Sequence, residues 1–574
     1  MYNIKSTEWK ELTEIKGTFF NKSSTNGIML ANSSVEPVDE ESIMVLEAGE
    51  KMYLEVSEGK IYAKSTRGEA SLAVLGFSFT EQGIKNKINS LYEVTYVEPQ
   101  SDVFNIELEN YSVKNIAIET EDTVAKTILL ANIPTRCRLT LELKYTNACA
   151  ITWFAGINWI GDAPTFVAGN TYTLSFYTID GGVTWKEDSI ERISDKVENL
   201  SAEIEYVSGG KNALLTDDVG KPSLMVKIPK FFLDDVIDGA EHVIHPAFVV
   251  GGEIKDYIYV SKYQNFVEDG RAYSAPGQDP KTSVNFDQAK GYCEAKGEGW
   301  HLMTNAEWAA LALWAKKNGS EPLGNNYAGC DNATKHLAGI QSYNWTLNYN
   351  WNNRAWKEDP LGTYHHTGRV QTGSGPASWS HDGTDYGVFD LNGNVWEWTS
   401  GMRLKDGEIQ VIEDNNAAIN GTDMSPDSDE WKAILQNGSL ADPGTDSTLK
   451  IDNTADCSGI TSGNVGGDPV LNVTRDYPMY SEDTDSYYGY SDVAFNNFGV
   501  TDGVTVPDLL KALCLYNDGN TGGDGLYVRN YGERLPLRGG NWGTGSSAGV
   551  FALYLHFHRS DSSRNIGFRS AFVL

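Results

Sequence analysis

Six apolar residues, Ile190, Ile193, Val197, Leu200, Ile204 and Val207, recur at a strict 3-4-3-4-3 spacing, with Glu, Asp, Lys and Asn between them. This is the a/d seam of a short coiled coil. It divides the chain, because the residues before it carry the two-residue period of strands. The stripe is narrow and runs into Ser208-Gly209-Gly210, as a connecting stalk should. β-branched residues at both a and d favour three strands over two, so the spacing predicts a homotrimer. So short a coil needs help from flanking domains. The competing reading is an amphipathic helix lying on a neighbouring core.

Two β-rich regions precede the stripe. In residues 1–80, Ser42-Ile43-Met44-Val45-Leu46, Lys51 to Val56, Lys60 to Lys64 and Ser71 to Phe79 read as short strands with Gly-containing turns. A brief helical pattern, Ile84, Ile88 and Leu91, makes 81–92 a connector. Residues 93–186 alternate again at Thr127 to Leu130, Arg138 to Leu143 and Thr171 to Phe176, with a tight turn at Asp180-Gly181-Gly182, and predict a β-sandwich. The stalk occupies 187–208, and 209–574 forms a large C-terminal domain. Within it, 404–530 is acidic and rich in Gly and Asn. Asp414-Asn415-Asn416 and the stretch from Ser458-Gly459 to Gly467-Asp468 read as loop, and Val506 to Leu513 as a short helix with Pro507 in its first turn. The whole segment is expected to be an insertion that decorates the domain.

Charge narrows the partners. With 46 Lys plus Arg against 78 Asp plus Glu the net charge is −32, which repels nucleic acid and anionic membrane. Six scattered Cys with no CxxC pair argue against zinc ribbons and a disulfide frame, and fit assembly in a reducing cytosol. The first residues form no apolar signal region and no run approaches a membrane span, so neither secretion by the usual route nor membrane insertion is expected.

Three blocks carry the functional signal. Val284 to Cys293 leads into Trp300-His301-Leu302-Met303-Thr304-Asn305-Ala306-Glu307-Trp308, where Thr304 and Glu307 form a capping box and Trp308, Leu311 and Trp314 continue an apolar helix face. Tyr386-Gly387-Val388-Phe389-Asp390-Leu391-Asn392-Gly393-Asn394-Val395-Trp396-Glu397-Trp398 should end on a buried strand. The chain closes with Leu537-Arg538-Gly539-Gly540-Asn541-Trp542 and Asn565-Ile566-Gly567-Phe568-Arg569.

In this order the blocks resemble the C-type-lectin-like fold shared by formylglycine-generating enzymes (sulfatase-modifying factors) and the variable proteins of diversity-generating retroelements. The resemblance covers the C-terminal domain alone. It makes the expected fold class multidomain: all-β N-terminal domains, a short trimeric coiled coil, and an α+β C-type-lectin-like C-terminal domain with a long insertion. The enzyme branch implies a cysteine pair just after the RGG motif. Here Trp542 to Gly549 holds no Cys, with Thr544 and Gly549 at the approximate positions, so neither thiolate nucleophile nor copper ligand is present. No enzymatic activity of that kind is expected.

The variable-protein branch implies randomised adenines in AAY codons, which never yield Lys, Glu, Gln, Met or Trp. Gly543, Thr544, Ser547, Tyr554, His556, Phe557, His558, Asp561, Ser563 and Arg564 all obey this alphabet. They are the candidate ligand-binding residues, rich in the aromatic, His and Arg side chains that dominate recognition surfaces. By alternation Phe551, Leu553 and Leu555 face the core, while Ala552, Tyr554, His556 and His558 face out. Phe557 would then point inward, so the strand should end or bulge before it.

The resemblance also implies a calcium site at Asp390, Gly393, Val395 and Glu397, the competing and favoured reading being that Glu397 caps or pairs inside the fold; no other cofactor is implied. His365, His366 and His381 are expected to be solvated loop histidines. The stretch from Ala163-Pro164-Thr165 to Thr184-Trp185 resembles small β-domains repeated along bacteriophage tail fibres. The expected protein is a phage receptor-binding tail protein that meets a host-cell surface receptor, protein or glycan. Its N-terminal domains would join other tail proteins, in a virion tail assembled in the bacterial cytoplasm. The rivals are a bacterial surface adhesin and a polysaccharide-degrading tailspike, the latter using an acidic pair such as Asp382 and Asp385.

Overall fold

The computed structural model describes residues 97, 102–108, 113–120, 122–160, 163–342, 368–457, 464–479 and 490–574 apart from 518 and 520, with backbone alone at 113–115, 189 and 191–196; elsewhere it gives strand backbones only. Residues Met1–Tyr92 and Glu93–Leu574 form separate units. The first holds two four-stranded antiparallel sheets. One orders Tyr2–Lys5, Glu69–Leu75, Lys16–Asn21, Lys51–Glu55; the other orders Lys10–Glu11, Lys60–Ser65, Ile28–Ser33, Met44–Leu46. The expected helix at 81–92 lies outside the described residues.

In the second unit a six-stranded sheet faces a three-stranded one, with Leu139, Leu141, Leu143, Leu174, Phe176 and Trp185 fully buried between them. The strand Cys137–Tyr145 alternates buried and exposed along its length and pairs antiparallel with Asn170–Thr178, setting Leu141 opposite Leu174. The sandwich is mixed, since Val113–Glu119 pairs parallel with Cys137–Tyr145. The turn at Gly182 needs glycine: its φ is +85°, and a Cβ there would lie 2.5 Å from the Ile133 side chain.

The stripe behaves differently from a free coiled-coil seam. Ile190 belongs to the strand Trp185–Arg192, and the helix is Ile193–Val207. Val197, Leu200 and Ile204 are buried within the single chain, where the helix packs on the strands Asn170–Thr178, Trp185–Arg192 and Asn212–Thr216. A 3-4 stripe specifies one apolar helix face and cannot say what covers it. Here neighbouring strands of the same chain do.

The C-terminal part is built on two sheets and a buried helix. Asn212–Thr216, Pro222–Pro229, Tyr257–Ser261, Ser570–Phe572 and Trp300–Leu302 form an antiparallel sheet, so the last strand lies inside a sheet begun some 350 residues earlier in the chain. The second sheet orders Ser491–Ala494, Gly525–Val528, Gly549–Leu555, Leu537–Gly539, Trp396–Trp398, Ile566–Phe568. The helix Asn305–Asn318 starts on the expected capping box: Thr304 Oγ1 accepts from Glu307 N at 3.1 Å, and Thr304 N donates to Glu307 at 2.9 Å. Trp308 and Leu311 are buried on it, whereas Trp314 reaches the surface.

Segment 404–530 is more than decoration. Met402–Lys405, Glu408–Val411, Lys432–Ile434, Lys450–Asn453 and Pro469–Asn472 build a further sheet whose Ile409, Ile434, Leu449, Ile451 and Leu471 join the main core. Ser491–Ala494 and Gly525–Val528 extend the sheet that carries the terminal strands. Asn415, expected in loop, is buried and bonded to Thr304, Glu307 and the Ala247 carbonyl. The short helix is Asp508–Ala512, with Pro507 as its N-cap. Frequent Gly and Asn conceal short strands, because three or four residues are too few to show a period.

Candidate functional site

The closing frame is rigid for identifiable reasons. Arg538 is fully buried, and its guanidinium donates to Asn305 Oδ1 (2.7 and 3.0 Å) and to the Leu513 and Cys514 carbonyls (3.2 and 3.1 Å). Burial without a carboxylate lowers its pKa to about 10. Gly539 has φ +89°, and a Cβ would fall 2.9 Å from the Leu391 carbonyl; at Gly540 it would fall 2.5 Å from Ala548. Arg569 closes the frame with a two-bond pair to Glu397, both contacts 2.6 Å.

Between these fixed points the chain is held largely by its backbone. The Trp542 carbonyl accepts from Ala328 N (2.6 Å), and Gly545 N donates to the Asn326 carbonyl (2.9 Å). Further on, the Arg559, Ser563 and Arg564 carbonyls accept from Phe286 N (3.1 Å), Ser283 N (3.0 Å) and Arg369 Nη1 (3.1 Å). Arg559 adds a clamp through its side chain, on Glu533 (2.8 and 3.1 Å) and Asp287 (2.9 Å).

The ten candidate residues fall into two groups. Gly543 is exposed, while Thr544 and Ser547 are half-buried in a loop where Thr544 Oγ1 accepts from Asn541 N. Tyr554, Phe557, His558, Asp561 and Ser563 are half-buried, Arg564 is exposed, and His556 is buried. The Asp561 carboxylate caps the turn by accepting from His558 N at 2.8 Å. Tyr527 joins the groups, its ring lying 5.1 Å from that of Tyr554. Tyr490 lies 5.7 Å from His556, and Tyr554 stacks on His556 at 5.5 Å with its hydroxyl 2.9 Å from Nδ1. Phe557 completes the cluster, 5.1 Å from Tyr554. Burial raises the Tyr527 and Tyr554 hydroxyl pKa values, so both stay protonated.

The expected facing of this strand is half right. Phe551, Leu553 and Leu555 enter the main core, but Ala552 is also fully buried and Tyr554 packs against a second core of Phe286, Trp396, Ile566 and Phe568. Both faces are covered, because a separate core packs on each side of this strand and alternation reports only one face. The strand ends at Leu555, so Phe557 lies beyond it and the alternation rule does not reach it. Tyr490 and Tyr527, which sequence reasoning missed, come from the segment 404–530; its tyrosines were the available signal.

Asp390, Gly393, Val395 and Glu397 do converge, but on a nitrogen. Gln264 Nε2 lies 3.2, 3.4 and 3.1 Å from the carbonyls of Asp390, Gly393 and Val395, and 2.9 Å from Glu397 Oε1. Calcium requires oxygens at about 2.3–2.6 Å around an open centre, and this centre is filled by an amide. The donor set as folded does not fit a calcium ion.

Other candidates have structural employment. His381 is buried, its Nδ1 accepts from Val388 N at 2.9 Å, and burial lowers its pKa to about 4; it is not a solvated loop residue. His365 and His366 lie outside the described residues, among which no group of three or more His, Cys, Asp or Glu could hold a metal. Asp382 pairs with Lys211 at 2.9 Å and caps Thr384. Burial raises its pKa, but those bonds and His381 outweigh it and the net shift is downward. Asp385 is exposed and offers its carbonyl to Lys262. Near the approximate cysteine positions, a Cβ on Gly549 would lie 2.1 Å from Asp524 Oδ1, so the carboxyl fills that space. The described cysteines are all free thiols.

Residues 191–439 match the family model of the Sulfatase-modifying factor enzyme 1-like domain. Similar solved structures include PvdO from Pseudomonas aeruginosa, at 14% identity and a TM-score of 0.21, covering 63% of this chain and 98% of that one. The Major Tropism Determinant U1 variant has 13% identity and a TM-score of 0.21, with 72% and 74% covered. Treponema denticola variable protein 1 has 12% identity and a TM-score of 0.21, with 63% and 98% covered. Among curated proteins none matches. Among the described residues no helix is long and apolar enough to cross a membrane. The chain is β-rich with few helices, and its C-terminal part carries a domain similar to the sulfatase-modifying-factor enzymes, of C-type-lectin-like fold.

Proposed function

We propose that this chain is a non-enzymatic recognition protein that presents a changeable ligand-binding face between Trp542 and Asn565. The observation that carries the reading is the way that segment is anchored. Arg538, Arg569 and Arg559 fix its ends and middle, and most other ties use backbone atoms, which any residue supplies. Side chains can then change while the fold stays. The proposed face comprises the ten candidate residues, with Tyr490 and Tyr527 as its constant aromatic floor. Rigid aromatic surface of this kind binds at low entropic cost.

In the finer reading the protein is a phage tail receptor-binding protein that meets a host-cell receptor, protein or glycan, and joins the virion through its N-terminal domains. We propose a homotrimer held by flanking domains, since Val197, Leu200 and Ile204 are already covered within one chain. Three faces together gain avidity without tight single-site binding. The depolymerase alternative is disfavoured because Asp382 is committed to Lys211. Sequencing sibling isolates tests the reading. Variation confined to AAY-derived codons between Trp542 and Asn565, beside a template repeat and a reverse-transcriptase gene, is expected; even variation along the chain would refute it. Cleavage of host capsule by the purified protein would overturn the non-enzymatic part.

A further inference from the structure

The cradle around Gln264 has a composition that a buried amide does not ordinarily receive. Three backbone carbonyls and one carboxylate oxygen surround a single nitrogen, and Gln264, Asp390 and Glu397 are all buried. An amide NH2 has two protons, so four acceptors mean that each proton is shared. The amide is oriented by its other end, where Asn394 Nδ2 donates to Gln264 Oε1 at 2.8 Å. Asn394 is itself fixed, its Oδ1 accepting from Val370 N at 2.9 Å and from Asn325 Nδ2 at 3.1 Å. The backbone is shaped to aim the carbonyls: Asp390 and Asn394 hold φ of +63° and +59°, and a Cβ on Gly393 would lie 2.2 Å from the Asn325 carbonyl.

Charge points the same way. Glu397 is the one carboxylate whose oxygen faces the nitrogen, and Arg569 already neutralises it. Asp390 contributes its carbonyl, while its Oδ2 accepts from Gly373 N at 3.1 Å. A divalent ion placed at the centre would confront Arg569 across Glu397, while the second carboxylate, Asp390, turns its Oδ2 to Gly373 N rather than to the centre, an unfavourable arrangement in a buried site. A neutral double donor suits it.

We propose that the Gln264 side-chain amide takes the structural place of a cation, so that the loop 390–397 and the strand Trp396–Trp398 are organised without metal. The amide does what an ion would do, drawing the Asp390, Gly393 and Val395 carbonyls and Glu397 to one point. It brings no net charge and depends on no ion supply. Because Trp396–Trp398 pairs with both Leu537–Gly539 and Ile566–Phe568, this point also sets the two ends of the closing segment.

The test uses the full-length protein and its Gln264→Ala variant, each melted in EGTA and in millimolar Ca2+, with Tb3+ luminescence sensitised by Trp396 and Trp398 as the binding readout. The native protein is expected to melt identically in both buffers and to give no saturable Tb3+ signal. Q264A is expected to melt about 5 °C lower in EGTA and to regain part of that in Ca2+, because deleting the amide leaves an oxygen-lined hole. A native melting point that moves with Ca2+, or a Tb3+ signal that Ca2+ competes away, would overturn the proposal. So would a Q264A variant that melts like the native protein in EGTA. If Q264A does not fold, the native titration decides alone.

Discussion

The indole N–H of Trp308 donates to the Val550 carbonyl at 2.7 Å, tying the buried helix Asn305–Asn318 to the strand that carries Tyr554. Trp308→Phe keeps most of the ring but leaves that buried carbonyl unpaired, and should lower stability by about 1–3 kcal/mol. Trp308→Ala adds a cavity and should cost about 3–5 kcal/mol. Urea denaturation checks both; a Phe variant as stable as the native protein would show that packing alone matters, and equal losses would show that the hydrogen bond alone does.

Anchoring through the backbone predicts a contrast within the closing segment. Changing Gly543, Ser563 or Arg564 to another residue of the AAY alphabet should shift stability by no more than about 0.5 kcal/mol. Arg559→Ala removes the clamp on Glu533 and Asp287 and leaves Glu533 to Arg403 alone, so it should cost about 2–3 kcal/mol. Chemical denaturation of the four variants would reveal whether the contrast exists.

Gly549 and Asp524 compete for one volume. Gly549→Cys or Gly549→Ala forces the new Cβ onto the Asp524 carboxyl and should cost about 1–3 kcal/mol. Asp524→Ala frees the space, although Phe551 N loses its acceptor. A double-mutant cycle of G549A and D524A should give a coupling energy of at least about 1 kcal/mol. Strict additivity would count against the clash.

Asp524 also predicts a pH dependence. Burial raises its carboxyl pKa from 3.8 to about 8, against the lowering effect of the Phe551 N–H bond. A folded-state value above the unfolded one means that the folded chain retains a proton the unfolded chain has lost. This contribution is complete below about pH 4 and is lost as pH rises to about 8. His245 and His381 work in the opposite sense: burial lowers both from 6.5 to about 4, so their contribution is present above pH 6.5 and lost as pH falls towards 4. Asp524→Asn should therefore gain stability relative to the native chain between pH 5 and pH 8, measurable by denaturation in matched buffers. A pH-independent difference would remove the argument.

What was readable from the sequence was local. Thr304 and Glu307 stand three residues apart, and their capping box follows from that spacing. The resemblance brought Asp390, Gly393, Val395 and Glu397 to one place, but the groups they face, Gln264 and Arg569, lie more than 125 residues away on either side. No periodicity reports such pairings. Ile190 satisfied a heptad yet sits in a strand, because a strand running into a helix can continue an apolar stripe by coincidence of spacing. Tyr490 and Tyr527 were hidden for a related reason: their segment supplies two strands to the central sheet from what composition made look like loop.

The strand Ser570–Phe572 lies between Tyr257–Ser261 and Trp300–Leu302, and it is translated after the whole closing segment. During synthesis the sheet therefore waits with a central slot open, exposing unpaired strand edges of the kind that aggregate. A stop codon or frameshift anywhere between Trp542 and Asn565 would leave that slot empty. Such a product would keep those unpaired edges exposed instead of closing the sheet. Position in the sheet thus couples completion of this sheet to the reading frame downstream of Asn565.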